Sequence, residues 1–282
     1  MRKMPNTTPM YLIYPAVALG LLFLGSLVYM LQQSLSVEDG YGLTHYIEFF
    51  QRPDYVAKGI RTIQISLITT VACLVLGYPT AALILRAGRH KNLLLILLIM
   101  PWLVSIVVRS YGWIVMLGGR GVINQALLWT GVIDTPLRLI YNVSGVVIGL
   151  THVFCPFMII SILAVLSHQD RSLTEASMIQ GAGPVRTFLR VTWPLSLPGV
   201  LSGCALVFLL SCGAIVTPLM LGGFSETMIG TQIYQDVFSL FNFPKAAAMA
   251  MILTIVSLAF VFPLQWLERY TKRNLGGPQG ES

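Results

Sequence analysis

Six long apolar runs dominate the chain, at roughly residues 12 to 33, 62 to 85, 93 to 117, 145 to 167, 195 to 221 and 246 to 266, and none of them holds Asp or Glu. Each is continuously apolar and long enough for the ~20 residues that a helix needs to cross hydrocarbon. Barrel strands would alternate apolar and polar side chains, and an open sheet edge has no hydrogen-bond partner in lipid. The pattern therefore predicts an all-α membrane protein with six transmembrane helices, and one membrane domain over residues 1–282. The first run exceeds the ~7 to 15 apolar residues of a secretory leader and shows no small-residue cleavage site, so it is expected to remain as a helix.

Between the runs lie polar segments of different character. Residues 34 to 61 form an outer loop with Glu38, Asp39, Glu48 and Asp54 among Tyr41, Tyr46, Phe49, Phe50 and Tyr55, a mixture suited to headgroups or to a partner. Arg86 to Lys91 is a short basic inner loop. In the outer segment 118 to 144, the glycines after Leu117 break the helix, and the spacing of Ile123, Leu127, Leu128 and Val132 predicts a short helix on the membrane surface. Residues 222 to 245 make a third outer loop.

Composition agrees with this picture: 55% of residues are apolar and only 10% charged, with a mean hydropathy of +0.76, whereas soluble domains carry about a quarter charged residues. Basic residues set the orientation. With the N-terminus inside, eleven (Arg2, Lys3, Arg86, Arg89, Lys91, Arg171, Arg186, Arg190, Arg269, Lys272, Arg273) face one side and six (Arg52, Lys58, Arg61, Arg120, Arg138, Lys245) the other. Both termini are thus expected in the cytoplasm, and the net charge of +7 needs no nucleic acid to explain it. Cys73, Cys155, Cys204 and Cys212 lie in apolar runs without metal-ligand spacing and read as small buried hydrophobes.

The segment between the fourth and fifth runs carries the strongest local signals. Ser172-Leu-Thr-Glu175 reads as a capping box, so a helix should begin near Leu173. It should end around Gly181-Ala182-Gly183, and Pro184 should open a second short helix that stops before Pro194, with Val185, Phe188 and Leu189 on an apolar face beside Arg186 and Arg190.

These residues resemble the motif of ABC importer permeases, Glu-Ala-Ala, three residues, Gly, nine residues, Ile-x-Leu-Pro, present here as Glu175-Ala176-Ser177, Gly181 and Val191-Thr192-Trp193-Pro194. Three positions depart: Ser177 for Ala, Val191 for Ile and Trp193 for Leu. Further stretches, including Leu74 to Pro79, Pro101-Trp102, Arg109-Ser-Tyr111, Gly121 to Asn124, Leu128 to Asp134, Cys155 to Met158 and Leu221 to Gly223, are most similar to permeases of the spermidine/putrescine importer family. The resemblance implies a type I importer permease fold whose cytoplasmic coupling helix, over 172–193, engages an ATPase through Glu175, Ala176, Gly181, Arg186 and Pro194. It also implies a second homologous permease forming a heterodimer, two ATP-binding subunits that hold ATP and Mg, an extracytoplasmic solute-binding protein, and a bacterial inner membrane. No phosphate loop of the Gly-x-x-x-x-Gly-Lys-Ser/Thr type exists in the chain, so no cofactor and no enzymatic role are expected of it.

Two regions are candidates for the solute pathway or its gate. Arg109 is the formally charged residue within a span; it either snorkels or contacts the paired permease, or it meets the pathway together with Trp102 and Tyr111. Thr217 and Pro218 lie in a Gly- and Pro-rich stretch, residues 213 to 223, suited either to a gate or to close helix packing. A polyamine is the solute the resemblance implies, with amino acid derivatives and opines as alternatives. The spans offer a polycation no carboxylate, only aromatic faces. An ion-coupled secondary transporter should show acids or His in its spans; His152 is the one such residue and reads as a packed polar group.

Overall fold

The structure is a computed structural model that describes residues 8–37, 40–223 and 227–275. Its helices are α1 (Thr8–Ser34), α2 (Thr44–Gln51), α3 (Pro53–Arg86), α4 (Lys91–Ile99), α5 (Ile106–Leu117), α6 (Val122–Trp129), α7 (Val143–Leu166), α8 (Arg171–Ile179), α9 (Pro184–Thr187), α10 (Trp193–Cys212), α11 (Val216–Leu221), α12 (Ile229–Phe238) and α13 (Phe243–Leu275). Among the described residues, six stretches are long and apolar enough to cross a membrane. A two-residue hairpin, Ser36–Val37 against Gly40–Tyr41, is the extent of sheet among the described residues.

Helices α3, α7 and α10 form the centre, burying Ile65, Cys73, Met158, Ile162, Val200 and Val207. Small residues permit the approach. A Cβ on Gly203 would stand 2.7 Å from Met158 Sδ, and one on Gly199 would stand 2.9 Å from the Ser161 carbonyl oxygen. Helix α13 packs against α10, and α1 packs against α13 with most of its surface exposed. Exposed Leu, Val and Phe along α1, α3 and α13 would be a liability in water and suit contact with lipid.

Local chemistry explains the ends. Pro53 opens α3, where its missing N–H costs nothing, with Asp54 in the first turn and Arg86 in the last, each complementing the helix dipole. Asn142 caps α7 by accepting from the Gly145 N–H at 2.9 Å.

The structure departs from the apolar pattern in two spans. The run 93–117 is broken: α4 gives way to a 3₁₀ turn over Met100–Leu103 and to extended backbone at Val104 and Ser105 before α5 begins. Pro101 cannot donate to the carbonyl four residues back, and the helix stops there. The run 195–221 is also broken, since α10 ends at Cys212 and α11 restarts at Val216. Pro218 then sits in the first turn of α11, where an N–H has no partner within the helix.

Candidate functional site

The segment between α7 and α10 is a folded corner, but its first cap is not the predicted one. Asp170, not Ser172, caps α8: its Oδ1 accepts from the Ser172 N–H at 2.9 Å, and the helix starts two residues earlier than the capping box requires. Both are good capping residues, and the backbone turns into the helix at the earlier one. The backbone N–H of Ser172 holds the Asp170 carboxyl below its ordinary range. Glu175 is thereby released from capping, and it lies exposed without an ion pair among the described residues.

The end of α8 follows the glycine signal. The Gly181 N–H donates to the Met178 carbonyl at 3.0 Å and the Ala182 N–H to the Ser177 carbonyl at 3.2 Å, the two bonds of a Schellman turn. Gly181 has φ +81° with open space around it, so the requirement for glycine is backbone conformation and not room. Ser177 Oγ then meets Thr187 Oγ1 at 3.1 Å, tying α8 to α9.

The predicted second short helix does not stop before Pro194. Pro184 opens α9 as expected, but Phe188–Thr192 form a π turn that runs directly into α10, giving one helical stretch over Pro184–Cys212. The wider turn accommodates the donor that Pro194 lacks. At this junction three aromatic rings gather, Tyr78 with Trp193 at 5.2 Å, Tyr78 with Phe188 at 5.6 Å, and Phe188 with Trp193 at 6.2 Å between centroids. Outside, Glu175, Ala176 and Arg186 are exposed together with Ile179 (85%) and Val185 (70%), an apolar surface edged with charge.

Within the spans, a cavity of about 830 Å³ opens between α3, α4, α5 and α7. Trp102 and Arg109 line it, along with Trp113, whose Nε1–H donates to His152 Nδ1 at 3.3 Å. The Arg109 Nε is buried without a hydrogen-bond partner. Tyr111 projects elsewhere and is 62% exposed. Thr217 is buried against α7, where a Cβ on Gly149 would stand 2.7 Å from its Cγ2. Pro218 lines a separate cavity of about 660 Å³ with Arg138, Tyr141, Gly222 and Gln235. The pathway candidates therefore occupy separate places.

A cluster that local sequence does not reveal lies at the end of α3 away from α8–α9. The sequence pattern leaves 222 to 245 as a loop, whereas α12 buries Gln232 and Asp236 against α3 and α13. Lys58 Nζ donates to Gln232 Oε1, Gln232 Nε2 donates to Asp236 Oδ1 at 3.1 Å, and Lys245 Nζ meets Glu48 at 3.2 Å. The Tyr55 ring sits under Lys245 (4.7 Å), Lys58 (5.4 Å) and Arg52 (5.7 Å). Burial pushes the Asp236 carboxyl above its ordinary value, against the opposing pull of Gln232, Lys245 and Lys58. The partners are up to 197 residues apart, and no short motif signals them.

Residues 67–275 match the family described as "Binding-protein-dependent transport system inner membrane component". The chain is 37% identical over 205 residues to the spermidine/putrescine transport system permease protein PotB of Escherichia coli (strain K12), covering 72% of this chain and 74% of that one. PotB of Haemophilus influenzae is 31% identical over 221 residues, covering 78% and 77%. Among solved structures, a bacterial ABC transporter involved in import of the acidic polysaccharide alginate aligns at TM-score 0.69 and 19% identity, covering 94% of this chain and 97% of that chain.

Proposed function

The chain belongs to the binding-protein-dependent transport system inner membrane components, and from that membership we propose that it forms one half of the membrane pathway of an ATP-driven importer of a polyamine. It performs no chemistry of its own. Two ATP-binding subunits, holding ATP and Mg, dock at α8–α9; an extracytoplasmic binding protein delivers solute on the other face; both termini lie in the cytoplasm of a bacterial cell. The observation that carries the docking role is the exposed, Schellman-closed element with free Glu175, Ile179 and Val185 in a chain without a phosphate loop.

The second permease is proposed to be a different chain. Arg109 has a buried, unpartnered Nε, and an unpaired cation at membrane depth costs several kcal/mol by order of magnitude. A second copy would bring no Asp or Glu within the six runs to meet it.

The polyamine assignment rests on similarity to the PotB proteins and on aromatic faces at Trp102 and Trp113 that can receive a cation. One observation favours the second solute class: Arg109, the formal charge in the larger cavity, suits the carboxylate of an amino acid derivative or opine better than a polycation. The test is calorimetry of the binding protein that works with this permease, run across polyamines, opines and amino acids. Spermidine or putrescine binding supports the first class; binding of a carboxylate-bearing solute alone replaces it with the second.

A further inference from the structure

Two of the three positions at which this chain departs from the importer-permease motif, Ser177 and Trp193, make contacts that the motif's Ala and Leu cannot make in kind. Ser177 supplies the hydroxyl that meets Thr187 Oγ1 at 3.1 Å, and Thr187 is buried at 6% exposure. Phe188 follows directly and sets its ring edge-on to Tyr78 of α3, with centroids 5.6 Å apart and planes at 85°. At the far end of the same π turn, Trp193 meets the Tyr78 ring at 5.2 Å. Tyr78 is buried, and its hydroxyl lies 3.0 Å from Ser196 Oγ in the first turn of α10.

The placement matters because of what it spans. Helix α10 is joined to α9 through the π turn Phe188–Thr192, a local widening of the helix of the kind that recurs at functional sites, so contacts that bypass this turn bear on how a push at α9 reaches the spans. Tyr78 touches the residues at both ends of that turn and bridges it. On its own helix, Tyr78 stands between Gly77, where a Cβ would be 3.0 Å from Met158 Cγ, and Pro79, which interrupts the hydrogen-bond ladder of α3. Close-packed side chains transmit displacement instead of dissipating it.

We propose that Ser177, Thr187, Phe188, Tyr78 and Trp193 form a side-chain linkage that carries displacement of α8–α9 directly into α3, so that α3 and α10 move as one unit. These are positioning residues, and the linkage rests on the reading of α8–α9 as the ATPase-coupling element. Reversion of the two departures, S177A and W193L, removes one contact at each end without touching the exposed surface at Glu175, Ile179 and Val185.

The test uses the chain purified with its copurifying ATP-binding subunits and places nitroxide labels in pairs. Labels at Leu83 (α3) and Leu173 (α8), both exposed, report the linkage, and a pair at Leu173 and Trp129 reports the ATP-driven movement itself. On adding MgATP and vanadate, the 173–129 distance is expected to shift while the 83–173 distance holds. W193L should leave the 83–173 distribution unchanged before nucleotide and shift and broaden it afterwards; W193F, which keeps a ring, should restore wild-type behaviour, and Y78F and S177A should broaden it less. The linkage is overturned if 83–173 shifts in the wild type, if W193L tracks like the wild type, or if W193F fails to restore what W193L loses. No shift between 173 and 129, with the ATP-binding subunits still attached, overturns the coupling reading and the linkage with it.

Discussion

The two ends of this molecule, inner (α8–α9) and outer (α12) in the proposed orientation, handle their polar groups in opposite ways. At the inner end, α8–α9 is shaped by backbone bonds: one cap at Asp170, one Schellman turn at Gly181, one hydroxyl contact between Ser177 and Thr187. Its Glu175, Arg186, Ile179 and Val185 are left exposed. At the outer end, Lys58, Gln232, Asp236, Lys245, Glu48 and Tyr55 bind one another and hold α12 to α3 and α13. A surface whose side chains are consumed internally stabilises the fold; a surface that keeps them free while fixing its backbone fits the proposed docking role.

Charge reversal at the inner end should break the contrast most strongly. Glu175→Lys is expected to reduce copurification of the ATP-binding subunits at least about tenfold, since like charges set against each other at an interface cost several kcal/mol. Its melting temperature should stay at the wild-type value, because the side chain is exposed and unpaired among the described residues. Gly181→Ala ranks next. A left-handed backbone costs an ordinary residue about 1 to 2 kcal/mol, so amide exchange in α8 should quicken and ATP-dependent uptake should fall while global unfolding changes little.

The outer cluster predicts a pH effect of definite sign. Asp236 has a folded-state pKa raised by burial, so the folded state holds its proton at a pH where the unfolded chain has lost it. Its contribution to stability is greatest below the ordinary Asp value of about 3.9 and declines as pH rises from there through the raised value. Asp236→Asn should remove that slope, read as the difference between the melting curves of the two proteins across pH. Asp170 has the opposite sign and the smallest effect. Its lowered pKa gives α8 support that is present above the ordinary value and lost as pH falls through the lowered one. Asp170→Ala should remove the pH dependence of α8 amide protection, measured relative to the intrinsic exchange rate, and leave the rest of the chain unchanged.

Much of the architecture is local and so is visible in the sequence. The apolar runs give the number of candidate crossings among the described residues, six, and Gly181 and Pro184 mark the end of α8 and the start of α9 because each acts through its own backbone. What escapes is set by competition or by distance. Asp170 and Ser172 are both capping residues two positions apart, and which one caps depends on where the α8 backbone turns. Pro194 reads as a stop, but the π turn before it lets the helix continue. The breaks at Val104–Ser105 and at Gly213 fall inside runs that hydropathy alone treats as single spans. The Lys58–Gln232–Asp236 cluster depends on the packing of α12 against α3, which no periodicity in either segment predicts.

The claim that the inner element is the surface that meets the ATPase can be tested with one photo-crosslinking measurement in native membranes. A benzophenone side chain is placed at Ile179, 85% exposed on α8, and in a second sample at Trp129, 90% exposed on α6. After irradiation, adducts are identified by mass spectrometry of the attached peptides. An adduct at Ile179 with a subunit that carries a nucleotide phosphate loop, and none at Trp129, is the predicted result. An ATPase adduct at Trp129, or an Ile179 sample that gives only lipid or self adducts, would contradict it.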